Sequence, residues 1–219
     1  MSIFHHPGED LLLDYASGSL DENWSLAVAT HLALCPKCRR LTSEFEAVGG
    51  GMISTATPSV LSDHLFNAIM SAVDSVNEEA LVPNSADETG QELVFPQPLR
   101  KYVGADARNL NWQRLGLNAH QLKISTFDNS TTIRLLKIPA GRPVPTHSHN
   151  GRELTLVLSG AFSDITGTYG RGDMQDIDES VQHQPHAAPG KDCICLVVTD
   201  QPLKFKSLAA RVAQPFLGI

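Results

Sequence analysis

No stretch of this chain approaches the roughly 18–20 uninterrupted apolar residues that cross a bilayer, so no membrane-spanning helix and no membrane partner are expected. The N-terminus, MSIFHHPGED, lacks the basic start and apolar core of a secretory leader, and the expected compartment is the cytoplasm. Basic side chains are scarce where nucleic acid would need them. Residues 1–80 hold three Lys/Arg against eleven Asp/Glu, while the remainder holds 14 against 13, so the formal charge of −7 is concentrated at the N-terminal end. That sign repels phosphates and excludes direct nucleic-acid binding there; it suits a basic partner. Glycine (16) and proline (13) are too few for a fibre, and 42% apolar residues are too many for disorder, which leaves a folded chain of one or two domains. No internal repeat of solenoid period is visible.

What is present has two textures. The first 80 residues carry helical periodicity. Leu11, Leu12, Tyr15 and Ala16 recur at helical spacing after Pro7. Asp21 reads as the N-cap of a second helix bearing Trp24, Val28, His31 and Leu32. Pro36 ends that helix and opens a third, which the Gly49-Gly50-Gly51 run is expected to stop. Ser62 caps a fourth helix with two adjacent stripes, Leu65/Ile69/Val73 and Phe66/Met70, a wider apolar face than one small core needs. From Asn77 to Gln97 the chain is polar, acidic and aperiodic, and reads as a linker. Beyond it QLKISTF, TTIRLLKI, ELTLVLSGAF and CICLVVT are short, β-branched segments between turn residues, the pattern of an all-β sandwich or barrel. The division predicted is a helical domain over 1–76, a linker over 77–97 and a β domain over 98–219.

Four cysteines fall in two close pairs, and nine histidines cluster. In a reducing compartment such spacing favours metal ligation over disulfides. His31, Cys35 and Cys38 form H-x3-C-x2-C, and on a helix they fall within about 60° of one another. They supply three of the four soft donors that tetrahedral zinc requires. The fourth is expected from His5 or His6, with His6 preferred because it lies nearer the first helix and would clamp that helix to the second. A second constellation runs from Gly141 to Gly160 as G-x5-H-x-H-x3-E-x6-G. His147 and His149 share one strand face, and Glu153 keeps their parity, so three ligands converge. Imidazoles with one carboxylate suit zinc, iron, manganese or nickel. Further on, the chain resembles the second cupin motif, G-x5-P-x-G-x2-H-x3-N, with Gly172 and His183 in register but Asp178, Ser180 and Ala187 at its Pro, Gly and Asn. His183 is the expected fourth ligand, with His186 its rival. Cys193 and Cys195 share a strand face, either as core packing or as thiols near the barrel metal.

The N-terminal pattern resembles the zinc-binding anti-sigma domain, and the Gly141–Gly160 pattern matches the first cupin motif. Together they resemble the ChrR family of zinc-dependent anti-sigma factors over nearly the whole chain. The resemblance implies a four-helix zinc domain that holds an extracytoplasmic-function sigma factor of the RpoE type inactive. It also implies a cupin barrel that senses singlet oxygen or related oxidative stress, with no enzymatic activity. Carried over, His6, His31, Cys35 and Cys38 hold one Zn2+, and His147, His149, Glu153 and His183 hold a second Zn2+ or another divalent metal. The competing reading is a cupin dioxygenase or isomerase with a helical dimerisation domain, since such donors also support oxygen chemistry.

Overall fold

Pro7 and Gly8 lead into α1 (Glu9–Ser17), which buries Leu11 and Leu12 and ends where Gly18, at φ 73°, turns left-handed and donates to the Asp14 and Tyr15 carbonyls. The structure, a computed structural model, describes residues 2–60, 62–75, 93–116, 119–128 and 130–205. Asp21 holds the N-cap position of α2 (Glu22–Leu34) without a side-chain hydrogen bond, and α2 buries Trp24, Leu26, Ala27, Val28, Thr30, His31 and Leu32. A helix apolar on so many sides must be covered on more than one. It is: α1 and α3 (Pro36–Ser54) flank it, and the outer face of the barrel lies beneath it.

The expected stop at Gly49-Gly50-Gly51 does not occur. α3 continues through the glycines to Ser54 and ends at Thr55 in right-handed conformation. Glycine weakens a helix interior but accepts its dihedral angles; it stops one only where the chain turns left-handed at the end. From Glu46 onward α3 is exposed throughout. Ser62 Oγ then accepts the Leu65 N–H at 3.3 Å and starts α4 (Asp63–Asp74), whose described side chains are all exposed. The greater part of the predicted linker lies outside the described residues. Its last residues are ordered by burial of Phe95 and run into a helix that the periodicity did not predict, α5 (Gln97–Val103), with proline at its start and Leu99 fully buried.

Among the described residues twelve short strands follow: β1 (Gln113–Leu115), β2 (Ala119–Lys123), β3 (Thr132–Ile138), β4 (His147–Ser148), β5 (Glu153–Ser159), β6 (Ala161–Asp164), β7 (Gly167–Gly170), β8 (Met174–Ile177), β9 (Gln182–His183), β10 (His186–Ala187), β11 (Cys193–Thr199) and β12 (Lys204–Phe205). A six-stranded antiparallel sheet in the order β1-β2-β3-β11-β5-β8 is accompanied by two three-stranded sheets, β10-β6-β7 and β12-β4-β9. Both faces of the large sheet are buried: every residue of β5 and β11 is covered, and polar Glu153, Thr155 and Ser159 of β5 alternate with its leucines. Leu154, Leu156, Leu158, Leu196 and Val198 point outward and share one core with α1, α2 and α5. Val157, Cys193, Cys195 and Val197 point inward and pack with Ile138, Phe162 and Tyr169. Polar contacts reinforce the helix–barrel junction. Arg152 spans Asp10 of α1 at 2.9 Å and Asp176 of β8 at 2.6 Å, and Glu22 of α2 accepts the Phe127 and Asp128 N–H groups.

Candidate metal centres

Three elements deliver the four N-terminal donors. His6 sits on the extended lead to α1, His31 in the last turn of α2, Cys35 at the N-cap of α3 and Cys38 in its first turn. Pro36 between the cysteines cannot extend α2, so the chain breaks there and doubles back within one residue. The donor atoms lie within 4.8 Å of one another. His6 Nδ1 stands 3.5 Å from Cys35 Sγ and 3.3 Å from Cys38 Sγ, and His31 Nε2 stands 3.3 Å from Cys38 Sγ. Zn–S and Zn–N bonds at a tetrahedral angle set adjacent N and S atoms ~3.5 Å apart, so the donor set fits that ion. Both cysteines are free thiols. Burial lowers the His31 pKa to about 4, which keeps its imidazole neutral and able to ligate. Burial, with the Cys35 thiol alongside, pushes the Cys38 thiol up to about 12, so only a bound cation makes it a thiolate at neutral pH. His5 turns away from the cluster and packs at a tilt against Tyr169, with ring centroids 4.4 Å apart.

The barrel centre is built across β4, β5 and β9. His147 and His183 face each other in register across the β4–β9 pair. His183 Nε2 lies 3.0 Å from His147 Nε2 and 3.1 Å from His149 Nε2, and Glu153 Oε2 lies 3.5 Å from His149 Nδ1. The outer nitrogens of two rings are committed elsewhere: His147 Nδ1 donates to the Pro145 carbonyl at 2.9 Å and His183 Nδ1 to Asp164 Oδ2 at 2.7 Å. Their Nε2 lone pairs therefore confront each other at 3.0 Å, an arrangement that a cation between them converts from repulsion to ligation. Burial lowers His147 and His149 to about 4 and raises Glu153 to about 7; the Thr155 hydroxyl and the Arg134 guanidinium oppose the rise. His186 is exposed and outside the cluster. Before His183, the Asp178 carboxylate accepts the Ser180 N–H at 2.9 Å, so an Asx turn replaces the Pro and Gly of the motif. Cys193 and Cys195 lie inside the barrel, fully buried, with sulfurs 3.5 Å apart. The Cys193 hydrogen bond, burial and the nearby Glu153 charge all raise the Cys195 pKa.

Sequence reasoning missed the residues that support these ligands. Asp164 orients His183 and in turn accepts Gln175 Nε2 at 2.8 Å; hydrogen bonds from Thr166, Gln175 and His183 hold its carboxyl low against the effect of burial. Arg134, on a strand that reads as half-solvated, faces into the barrel and donates to Gln121 at 3.2 Å.

Two comparisons bear on both centres at once. The chain is 41% identical over all 219 residues, covering the whole of both proteins, to the anti-sigma-E factor ChrR of Cereibacter sphaeroides. The chain belongs to the ChrR family. Residues 101–203 match the family described as the ChrR cupin-like domain. Among solved structures, ChrR in complex with SigE of Rhodobacter sphaeroides superimposes with a TM-score of 0.74 at 39% identity, covering 90% of this chain and 99% of that one. An RmlC-like cupin from Ralstonia eutropha aligns over 48% of the chain at a TM-score of 0.42 and 21% identity. Both clusters of this ChrR-family chain thus lie within a fold shared along the full length of a relative.

Proposed function

We propose that this chain is an anti-sigma factor. It binds an extracytoplasmic-function sigma factor, holds it inactive in the cytoplasm, and releases it under singlet oxygen or related oxidative stress. The observation that carries the reading is the unpaired apolar face at the end of α3 and along α4. Val48, Met52 and Ile53 are 66%, 71% and 77% exposed, and Leu65, Phe66, Ile69, Met70 and Val73 are between 44% and 58% exposed. Exposed apolar helix faces of this kind mark a protein-binding surface. It projects from the acidic end of the chain, as a basic sigma surface would require. The relatives support the partner, since the similar solved ChrR is in complex with SigE.

His6, His31, Cys35 and Cys38 would hold Zn2+, which supplies a four-way cross-link between the N-terminal segment, α2 and α3. His147, His149, Glu153 and His183 would hold a second zinc or another divalent ion in the sensory barrel. The domain division that accompanies this reading is a helical inhibitory unit over 1–76, a connecting segment over 77–97 and the barrel over 98–219. The helices do not communicate with the barrel through that segment alone, because α1, α2 and α5 share a core with its outer face. A change in the barrel therefore has a packed surface to act through. Regulation by release requires only that the altered state hold sigma less tightly.

Affinity pull-down from the native cytoplasm tests the reading. Full-length protein should retain a sigma factor, protein lacking residues 1–76 should not, and Glu153→Ala should retain it but fail to release it under singlet oxygen. Retention by the truncated chain would refute the assignment of the inhibitory surface.

A further inference from the structure

The segment that carries His6 is held by the barrel. Termini stay loose unless tied down, and residues 3–6 have no helix or strand of their own. The tie is Asp173, just before β8. One carboxylate oxygen accepts the Phe4 and His5 N–H groups at 2.7 and 2.9 Å, and the other accepts the Gly170 N–H at 2.8 Å. In return the His5 carbonyl accepts the Met174 N–H at 3.1 Å. Asp173 is 4% exposed; its three N–H partners hold the carboxyl low against the effect of burial, so the acceptor is a charge in a dry site.

Gly172 completes the contact. Its φ of +92° favours glycine, and a Cβ there would come within 2.6 Å of Ile3 Cδ1, so the N-terminal segment lies directly on the turn. From the other side, Gly172 meets the end of α2, where an added Cβ would also stand 3.8 Å from Leu34 Cβ, and its backbone opposes the burial that lowers the His31 pKa. One turn of the barrel, residues 170–173, thus holds the backbone before one imidazole donor, His6, and packs against the helix end that carries the other, His31. The same turn runs into β8, where Gln175 donates to Asp164, and Asp164 orients His183 of the barrel centre. The two donor clusters are connected by consecutive hydrogen bonds and one short strand.

We propose that Asp173 is a positioning residue for the N-terminal metal centre, and that the 170–173 turn is the element through which the barrel acts on that centre. The proposal rests on the metal reading above. An outer partner of this kind fixes where a ligand stands without touching the ion, and losing one commonly weakens metal retention by about 10- to 100-fold. Coupling of two sites requires such a shared element, biased by both.

The test uses the full-length protein loaded with Zn2+, measuring the rate at which a chromophoric chelator extracts the ion from Cys35/Cys38. A parallel Co2+-loaded sample reports thiolate charge-transfer and d–d bands. Asp173→Ala should accelerate extraction about tenfold or more and shift the d–d envelope, with barrel metal content unchanged. Asp173→Asn, which keeps one oxygen for the Phe4 and His5 N–H groups, should fall between Ala and wild type, and it carries the test if Asp173→Ala does not fold. Asp10→Asn, which removes the charge from the Arg152 ion pair at the same junction, should extract at the wild-type rate. Extraction within twofold of wild type for the Asp173 variants would overturn the proposal, as would equal acceleration by Asp10→Asn, the mark of general loosening. Absence of any thiolate charge-transfer band in the wild type would instead overturn the metal reading on which the proposal rests.

Discussion

His31 and Cys38 meet at 3.3 Å in surroundings that disfavour charge on either. Burial keeps the His31 imidazole neutral and the Cys38 thiol protonated, so a cation bound there would have to displace the thiol proton. Burial keeps His147 and His149 of the barrel neutral in the same way, and together the three imidazoles set a pH dependence for the metal-free protein. His31, His147 and His149 titrate at about 4 in the folded chain against 6.5 unfolded. Each contributes stability that is full above pH 6.5 and is lost as pH falls toward 4, because the unfolded chain binds the extra proton. Glu153 has the opposite sign. At about 7 against 4.5, it favours the folded state at low pH and loses that contribution as pH rises. Three groups outweigh one, so urea midpoints of chelator-treated protein should fall between pH 6.5 and 4. A midpoint that rises on acidification would contradict the burial assigned to these imidazoles.

At the scale of elements, α3 and α4 carry surface the fold itself does not use. Ile69→Glu leaves no buried contact behind, since Ile69 is 49% exposed. It should weaken sigma capture by ~1–3 kcal/mol, read as affinity, while metal content and unfolding midpoint stay unchanged. Loss of metal together with affinity would show the helix to be structural. Gly50 lies inside α3, where an added Cβ would meet nothing within 4 Å, so Gly50→Ala should stabilise the helix by ~0.5–1 kcal/mol, seen as a higher helical signal by circular dichroism. These helices also show what a linear reading reaches. The N-cap positions at Asp21 and Ser62, the break at Pro36 and the span of β11 are local signals, and all were legible. The passage of α3 through three glycines and the start of α5 at a proline-rich stretch were not, because glycine and proline permit a helix as well as end one. Arg134, Asp164 and Gln175 were illegible for another reason. Alternation cannot distinguish the inside of a barrel from solvent, and their partners are set by strand pairing over long sequence distances.

On the scale of the whole molecule, the two donor clusters lie on opposite sides of one sheet. The outer face of the sheet packs on the helices that carry the thiolate cluster, and its inner face lines the cavity of the imidazole cluster. Motif spacing named the residues of both clusters, which the structure brings together, without showing that the two regions share a core, since packing between them leaves no periodic mark. On the proposed reading, the helical region is a capture device whose shape a bound metal would fix and whose hold the barrel could influence through that shared core. The direct measurement is sigma affinity for wild type and for Cys35→Ser/Cys38→Ser, with metal content determined on the same samples. The double variant should lose the N-terminal ion, keep the barrel ion, and bind sigma at least ~tenfold more weakly, a step of ~1.4 kcal/mol. Equal affinity in a folded variant that has lost the N-terminal ion would contradict a metal-shaped inhibitory surface.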